Sequence, residues 1–151
     1  MSVPAVITLA ACAAPRTCAG GIFTGTARRG SVDPAPAPSV RRLRRVEVDF
    51  ARLFPGGPGP WAANAAPQLT LNLFPDVCVT AVREQATDLA GGGVQWEGRI
   101  TGAANGVATL IVDGTVMVGT IRIEREVYEI RSLGDGVHAV LDVDPSRFPR
   151  D

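Results

Sequence analysis

At 151 residues the chain is one domain's worth, long enough to bury a single hydrophobic core. Formal charge is zero but uneven: residues 1–45 hold seven arginines against one acid, Asp33, and residues 46–151 hold eight arginines against fourteen acids. A single histidine and three cysteines without a CxxC pair exclude a multi-histidine zinc centre or a zinc knuckle built within this chain, and no apolar run approaches the length of a membrane-spanning helix.

Val3 to Ala11 is a short apolar run that ends in Leu9-Ala10-Ala11-Cys12, the order of a lipobox, so residues 1–12 read as a candidate lipoprotein signal segment with Cys12 as the lipidation site. Met1-Ser2 lacks the positive charge that such leaders carry, which leaves an upstream start or a chance match open. Residues 13–43 are rich in Pro, Ala and Arg, with Asp33-Pro34-Ala35-Pro36-Ala37-Pro38 as the stiffest part. A stretch of this composition cannot bury enough apolar surface to offset its ordering entropy, and it is expected to be a disordered tether.

From residue 44 to 151 the pattern changes to period two. Val46, Val48 and Phe50 alternate with Glu47 and Asp49; after a Pro/Gly loop from Phe54 to Pro60, Leu69, Leu71 and Leu73 alternate with Thr70 and Asn72. Val77, Val79 and Ala81 continue, with Thr80 to Leu89 open to a short helix instead. Val94, Trp96 and Ile100 follow the Gly91-Gly92-Gly93 turn, and four more apolar runs begin at Val107, Val116, Val127 and Val137. Asn105-Gly106 and Asp113-Gly114 are the dipeptides that two-residue hairpins prefer, and Gly134-Asp135-Gly136 can close another. Such short spacing leaves no room for crossover helices. The expected fold is all-β, an antiparallel meander forming a small barrel or sandwich.

Few residues offer chemistry. His138 lies in an apparent strand with no GxSxG elbow before it, where a packed histidine is the simpler reading than a general base. No catalytic residue, metal ligand or cofactor site is assigned. Glu124, Glu126 and Glu129, and the pair Asp142 and Asp144, read as solvated acidic faces and lack EF-hand order. Arg41-Arg42-Leu43-Arg44-Arg45 reads first as a charged tether end; without aromatic platforms, and beside an acidic domain, it gives no nucleic-acid site. Trp96 is a core candidate. Trp61, in a loop, is a lid or a partner contact. Cys78 reads as a free, buried cysteine and as a second candidate contact; Pro75-Asp76-Val77-Cys78-Val79 does not match the PKxCGV form of a zinc-blocking switch.

The collinear set Arg45-Val46-Glu47-Val48-Asp49, Leu71-Asn72-Leu73-Phe74-Pro75-Asp76-Val77, Gly92-Gly93-Val94-Gln95-Trp96-Glu97-Gly98-Arg99-Ile100, Tyr128-Glu129-Ile130-Arg131 and Val143-Asp144-Pro145-Ser146-Arg147-Phe148-Pro149 resembles the N-terminal pro-region of secreted bacterial reprolysin-like (adamalysin-like) zinc metallopeptidases. In that family a following catalytic domain carries HExxHxxGxxH, which is absent here. The resemblance implies a non-enzymatic module that assists folding or latency of a protease catalytic domain, in cis or in trans, as an exported protein that is secreted or held at the cell envelope. The alternative is a lipid-anchored envelope β-domain unrelated to proteolysis, held to the membrane through Cys12.

Overall fold

The computed structural model describes residues 18–25 and 37–147. The candidate signal segment and Cys12 lie outside the described residues. Nine strands form one antiparallel sheet: β1 (Phe23–Thr24), β2 (Val40–Val48), β3 (Gln68–Phe74), β4 (Val77–Asp88), β5 (Val94–Ile100), β6 (Val107–Asp113), β7 (Val116–Ile123), β8 (Glu126–Gly134) and β9 (Val137–Val143). From β3 to β9 each strand pairs with the next. β2 then joins β9, and β1 joins β2.

The sheet curls until its first and last strands meet, giving a nearly closed barrel. Gly21 bridges Thr70 in parallel, and the Ile22 N–H donates to the Thr70 carbonyl at 3.1 Å. One side chain extends this seam. The Asn72 carboxamide accepts from the Phe23 N–H at 2.9 Å and donates to the Phe23 carbonyl at 2.6 Å, so it acts as a surrogate strand residue. Gly21 is glycine for this reason, since a Cβ there would collide with that carboxamide. Where β1 no longer reaches, Arg44 of β2 donates across the gap to the carbonyls of Asn72, at 2.7 Å, and Leu73. A disulfide, Cys18–Cys78, then ties the segment entering β1 to β4 on the far side of β3.

These contacts correct three readings. The stretch 13–43 is not wholly a tether: Ile22 and Phe23 are buried in the core, and residues 40–43 open β2. Cys78 is neither free nor buried, but an exposed half of a disulfide, so it holds no thiolate to offer a metal while the bridge is intact. The Arg41–Arg45 run is likewise built into β2 and is no tether end. Arg41 pairs with Glu126 and Asp144; Arg42 pairs with Asp76 and Asp142 and lies 4.2 Å over the Phe74 ring.

The period-two residues fill the barrel. Leu69, Leu71, Leu73, Ala81, Trp96, Leu110, Ile121 and Val140 belong to one buried cluster. β9 is buried on both faces, because its alternate residues Ala139, Leu141 and Val143 form a second, smaller cluster with Val127, packed by Val40, Leu43 and Leu133. Thr80 to Leu89 contains no helix; β4 is strand through Asp88, with a bulge between Arg83 and Gln85 that breaks its alternation.

The hairpins differ in detail from expectation. Gly134 pairs with Val137, which leaves Asp135-Gly136 as a two-residue turn with φ of 52° and 77°, the signature of type I′. Asp113 itself pairs with Val116, so the β6–β7 turn is Gly114-Thr115. Asn105-Gly106 merely ends a longer connection, since the β5–β6 ladder stops at Arg99 and Val107.

Candidate binding cleft at the barrel mouth

Strand direction sorts the connections into two groups. The β4–β5, β6–β7 and β8–β9 turns and the long β2–β3 connection lie at one end, the mouth. The β3–β4, β5–β6 and β7–β8 turns lie at the other. The β2–β3 connection closes the mouth as a plug. It contains two single-turn helices, α1 (Phe50–Leu53) and α2 (Trp61–Asn64), too short to produce helical periodicity in the sequence. Asp49 caps α1 by accepting from the Arg52 N–H.

Leu53, Ala65 and Ala66 of the plug are buried against the barrel interior. Two polar contacts fix it there. The Trp96 Nε1–H, deep in the barrel, donates to the Ala66 carbonyl at 2.9 Å, and Arg83 donates to the Ala65 carbonyl at 2.7 Å. Gly98 makes room for the indole, because a Cβ there would lie 2.6 Å from the Trp96 ring. Trp96 is thus core, as its position in the alternation implies.

Between plug and hairpin tips an open cleft of about 700 Å³ remains, lined by Phe50, Phe54, Trp61, Gly93, Val112 and Asp113 among others. This volume lies in the range of ligand-sized sites. Trp61 is 41% exposed and meets Phe54 edge to face, with ring centroids 4.9 Å apart. The two candidate contact residues are not brought together: Trp61 stands at the mouth, while Cys78 is near the opposite end of β4, which places them roughly 30 Å apart along the strand. The cleft's other members were not singled out in the sequence. Asp113 read only as a turn residue, and Phe50 only as the end of an alternating strand.

His138 lies under the plug, fully buried, 6.3 Å from the Phe50 ring. Its Nε2 accepts the Met117 N–H at 3.0 Å, and Nδ1 sits 3.2 Å from the Gly136 carbonyl, which makes Nδ1 the protonated nitrogen. The β7–β8 ladder ends at the Gly119–Ile130 pair, so the imidazole supplies an acceptor to an N–H that lies beyond the ladder. This role is structural. Burial lowers the His138 pKa, opposed by the bond to Gly136. Below about pH 6.5 the unfolded chain then takes up a proton that the folded chain refuses, and stability falls by up to about 1.4 kcal/mol per pH unit. Urea midpoints measured from pH 7.5 to 5 are expected to show that decline and to flatten in His138→Gln. Equal slopes for the two proteins would remove His138 from the explanation.

At the far end Asp142 is buried opposite Arg42 and Tyr128, with Oδ2 on Arg42 Nε at 3.1 Å and Oδ1 unpartnered. The Arg42 hydrogen bond holds the Asp76 carboxyl below its usual range, and burial raises the Tyr128 phenol. Asp144 does not extend this cluster; it lies past the strand end and accepts from the Ser146 N–H and hydroxyl. Among the described residues no group of three or more His, Cys, Asp or Glu side chains is placed to hold a metal. Both nitrogens of the His138 imidazole are engaged, and Cys18 and Cys78 are bonded to each other. Among the described residues no helix is long and apolar enough to cross a membrane.

No protein-family profile matches the chain. Peptidyl-Asp metalloendopeptidase of Stenotrophomonas maltophilia strain R551-3 is 33% identical over 128 residues, covering 76% of this chain and 28% of that protein. The protein of the same name from strain K279a is 31% identical over 144 residues, and that from Xanthomonas campestris pv. campestris 28% identical over 140. A solved structure described as a chaperone-substrate complex matches 72% of this chain and 89% of its own with a TM-score of 0.52; at 14% identity that likeness is one of fold. The chain spans less than a third of the length of the curated relatives it matches, and it is related to that part of the peptidyl-Asp metalloendopeptidases.

Proposed function

We propose that this barrel is a non-catalytic, pro-domain-like module associated with a zinc metalloendopeptidase, assisting the folding or latency of the protease in cis or in trans. The observation that carries this reading is the partial match: the chain aligns with 28–31% of proteins named as metalloendopeptidases, yet its sequence has one histidine and no HExxHxxGxxH. A buried histidine bonded at both nitrogens supports a structural rather than chemical part for this segment. The Cys18–Cys78 bridge fits an exported setting, since disulfides persist in oxidising compartments.

The test uses the Stenotrophomonas maltophilia R551-3 protease with the portion matched by this chain removed. Produced alone, that remainder is expected to be insoluble or inactive; co-produced with this chain, it is expected to be recovered soluble, folded and of low activity until the chain is removed. Identical yield and activity with and without the chain would refute the role.

A further inference from the structure

We propose that the cleft at the barrel mouth is the docking site for a partner segment that combines an apolar side chain with an adjacent cationic one, and, resting on the reading above, that this segment belongs to the protease. The floor and walls are apolar: Phe50, Phe54, Trp61 and Val112 face the space, while Gly93 and the neighbouring glycines leave backbone without side chains on the opposite wall. An extended segment can therefore approach closely on that side, and its apolar group can lie against the half-exposed indole of Trp61.

Charge defines the rest of the ligand. Asp113 is the one charged residue lining the cleft, and no hydrogen bond or ion pair engages its carboxylate among the described residues. The three hairpin tips that ring the mouth carry Asp88, Asp113 and Asp135 and no arginine. Asp88 is partly engaged by the Ala62 N–H, and the nearby Arg52 is neutralised by Asp49 at 3.1 Å. By contrast the far end of the barrel interleaves both signs through Arg41, Arg42, Asp76, Glu126 and Asp144. An apolar cleft inside an acidic rim selects an apolar-cationic segment and disfavours an acidic one. Trp61 adds an exposed π face for the same cation.

Isothermal titration of the intact chain against the R551-3 protease remainder, folded by co-production with this chain and then separated from it, and against the peptides Ac-Leu-Phe-Arg-Leu-amide and Ac-Leu-Phe-Glu-Leu-amide, tests this. Three variants probe the cleft: Trp61→Ala removes the aromatic wall, Ala51→Trp fills the space from the exposed face of α1, and Asp113→Asn removes charge while keeping turn chemistry. Val107→Thr, exposed on β6 at the other end, is the control. Circular dichroism confirms that each variant is folded. Trp61→Ala and Ala51→Trp are expected to weaken binding of the protease remainder and of the arginine peptide about tenfold or more, as truncated aromatic anchors do. Asp113→Asn is expected to weaken it less and to reduce its salt dependence, with Val107→Thr unchanged. If the protease remainder binds all cleft variants as tightly as the parent, the docking site is wrong while the proposed function stands. If the arginine peptide binds through the cleft and the protease remainder does not bind, the cleft chemistry stands and the protease as partner falls. Binding of neither probe, equal binding of both peptides, or dimerisation that Ala51→Trp abolishes would each overturn the inference.

Discussion

Opening the Cys18–Cys78 bridge is expected to lower the stability of this barrel by about 4 kcal/mol, the chain-entropy value for a loop of this length. The two cysteines are separated by 60 residues, and between them lie β1, β2, the plug and β3. The bridge therefore spans the seam at which the sheet closes. Otherwise β1 is fastened by two residues paired with β2, a bridge to β3, the Asn72 carboxamide on Phe23, the Asp49 N–H on the Ile22 carbonyl at 2.7 Å and Arg52 on the Gly21 carbonyl. Without the covalent tie, Ile22 and Phe23 must find their buried positions through those contacts alone. Guanidinium titrations of the oxidised protein, the reduced protein and Cys78→Ser should show the loss in both modified forms. A smaller denaturant slope in the modified forms would accompany it if β1 is already detached in their native state, because less buried surface is then left to expose. Midpoints that coincide with the oxidised protein would show that the seam is held by hydrogen bonding and burial instead.

That seam also marks where the sequence stops being legible. The strands β3, β5 and β6 were readable because each has one face in the core and one outside. Leu69, Leu71 and Leu73, or Val94 and Trp96, fall on the inner face at period two. β4 was ambiguous because the bulge between Arg83 and Gln85 inserts a residue and shifts the alternation halfway along. β1 was missed for a different reason. Two residues inside a Gly/Ala/Pro-rich stretch show no periodicity, and their burial depends on partners 25 and 49 positions away, Val48 and Asn72. The resulting disulfide was equally invisible, since spacing alone cannot say which cysteines a closed sheet will bring together. The cleft escaped for the same reason: Phe50, Trp61, Gly93 and Asp113 come from four separate segments, and only the closure of the barrel makes them neighbours.

Trp96→Ala is expected to destabilise the protein by about 3–5 kcal/mol, the cost of deleting a large buried aromatic and leaving a cavity. Three structural features point to the upper part of that range. The side chain is 1% exposed and among the largest fully buried groups. Its ring lies against Gly98, where the absence of a Cβ is matched to the indole, so neighbouring side chains are poorly placed to collapse into the space. Its Nε1–H also satisfies the Ala66 carbonyl, and Ala66 in turn donates its N–H to the Leu53 carbonyl within the plug. Losing the indole removes both filling and the anchor of the plug. Trp96→Phe separates these effects, since it restores most of the apolar volume but leaves the buried Ala66 carbonyl unpaired, a loss of about 1–3 kcal/mol. The chain has two tryptophans, so in either variant Trp61 is the only remaining indole and its emission reports on the mouth. Measured against the Trp61 contribution to parental emission, taken as the difference between the parent and Trp61→Phe, a red shift in both variants is expected, because the plug that carries Trp61 is no longer tied to the barrel floor. Unfolding midpoints that fall in the order parent, Phe, Ala, with that red shift, would show that the barrel core and the cleft are one cooperative unit. A Trp96→Ala protein with near-parental stability and unshifted Trp61 emission would mean that the plug is held by Leu53 and Arg83 without help from the indole.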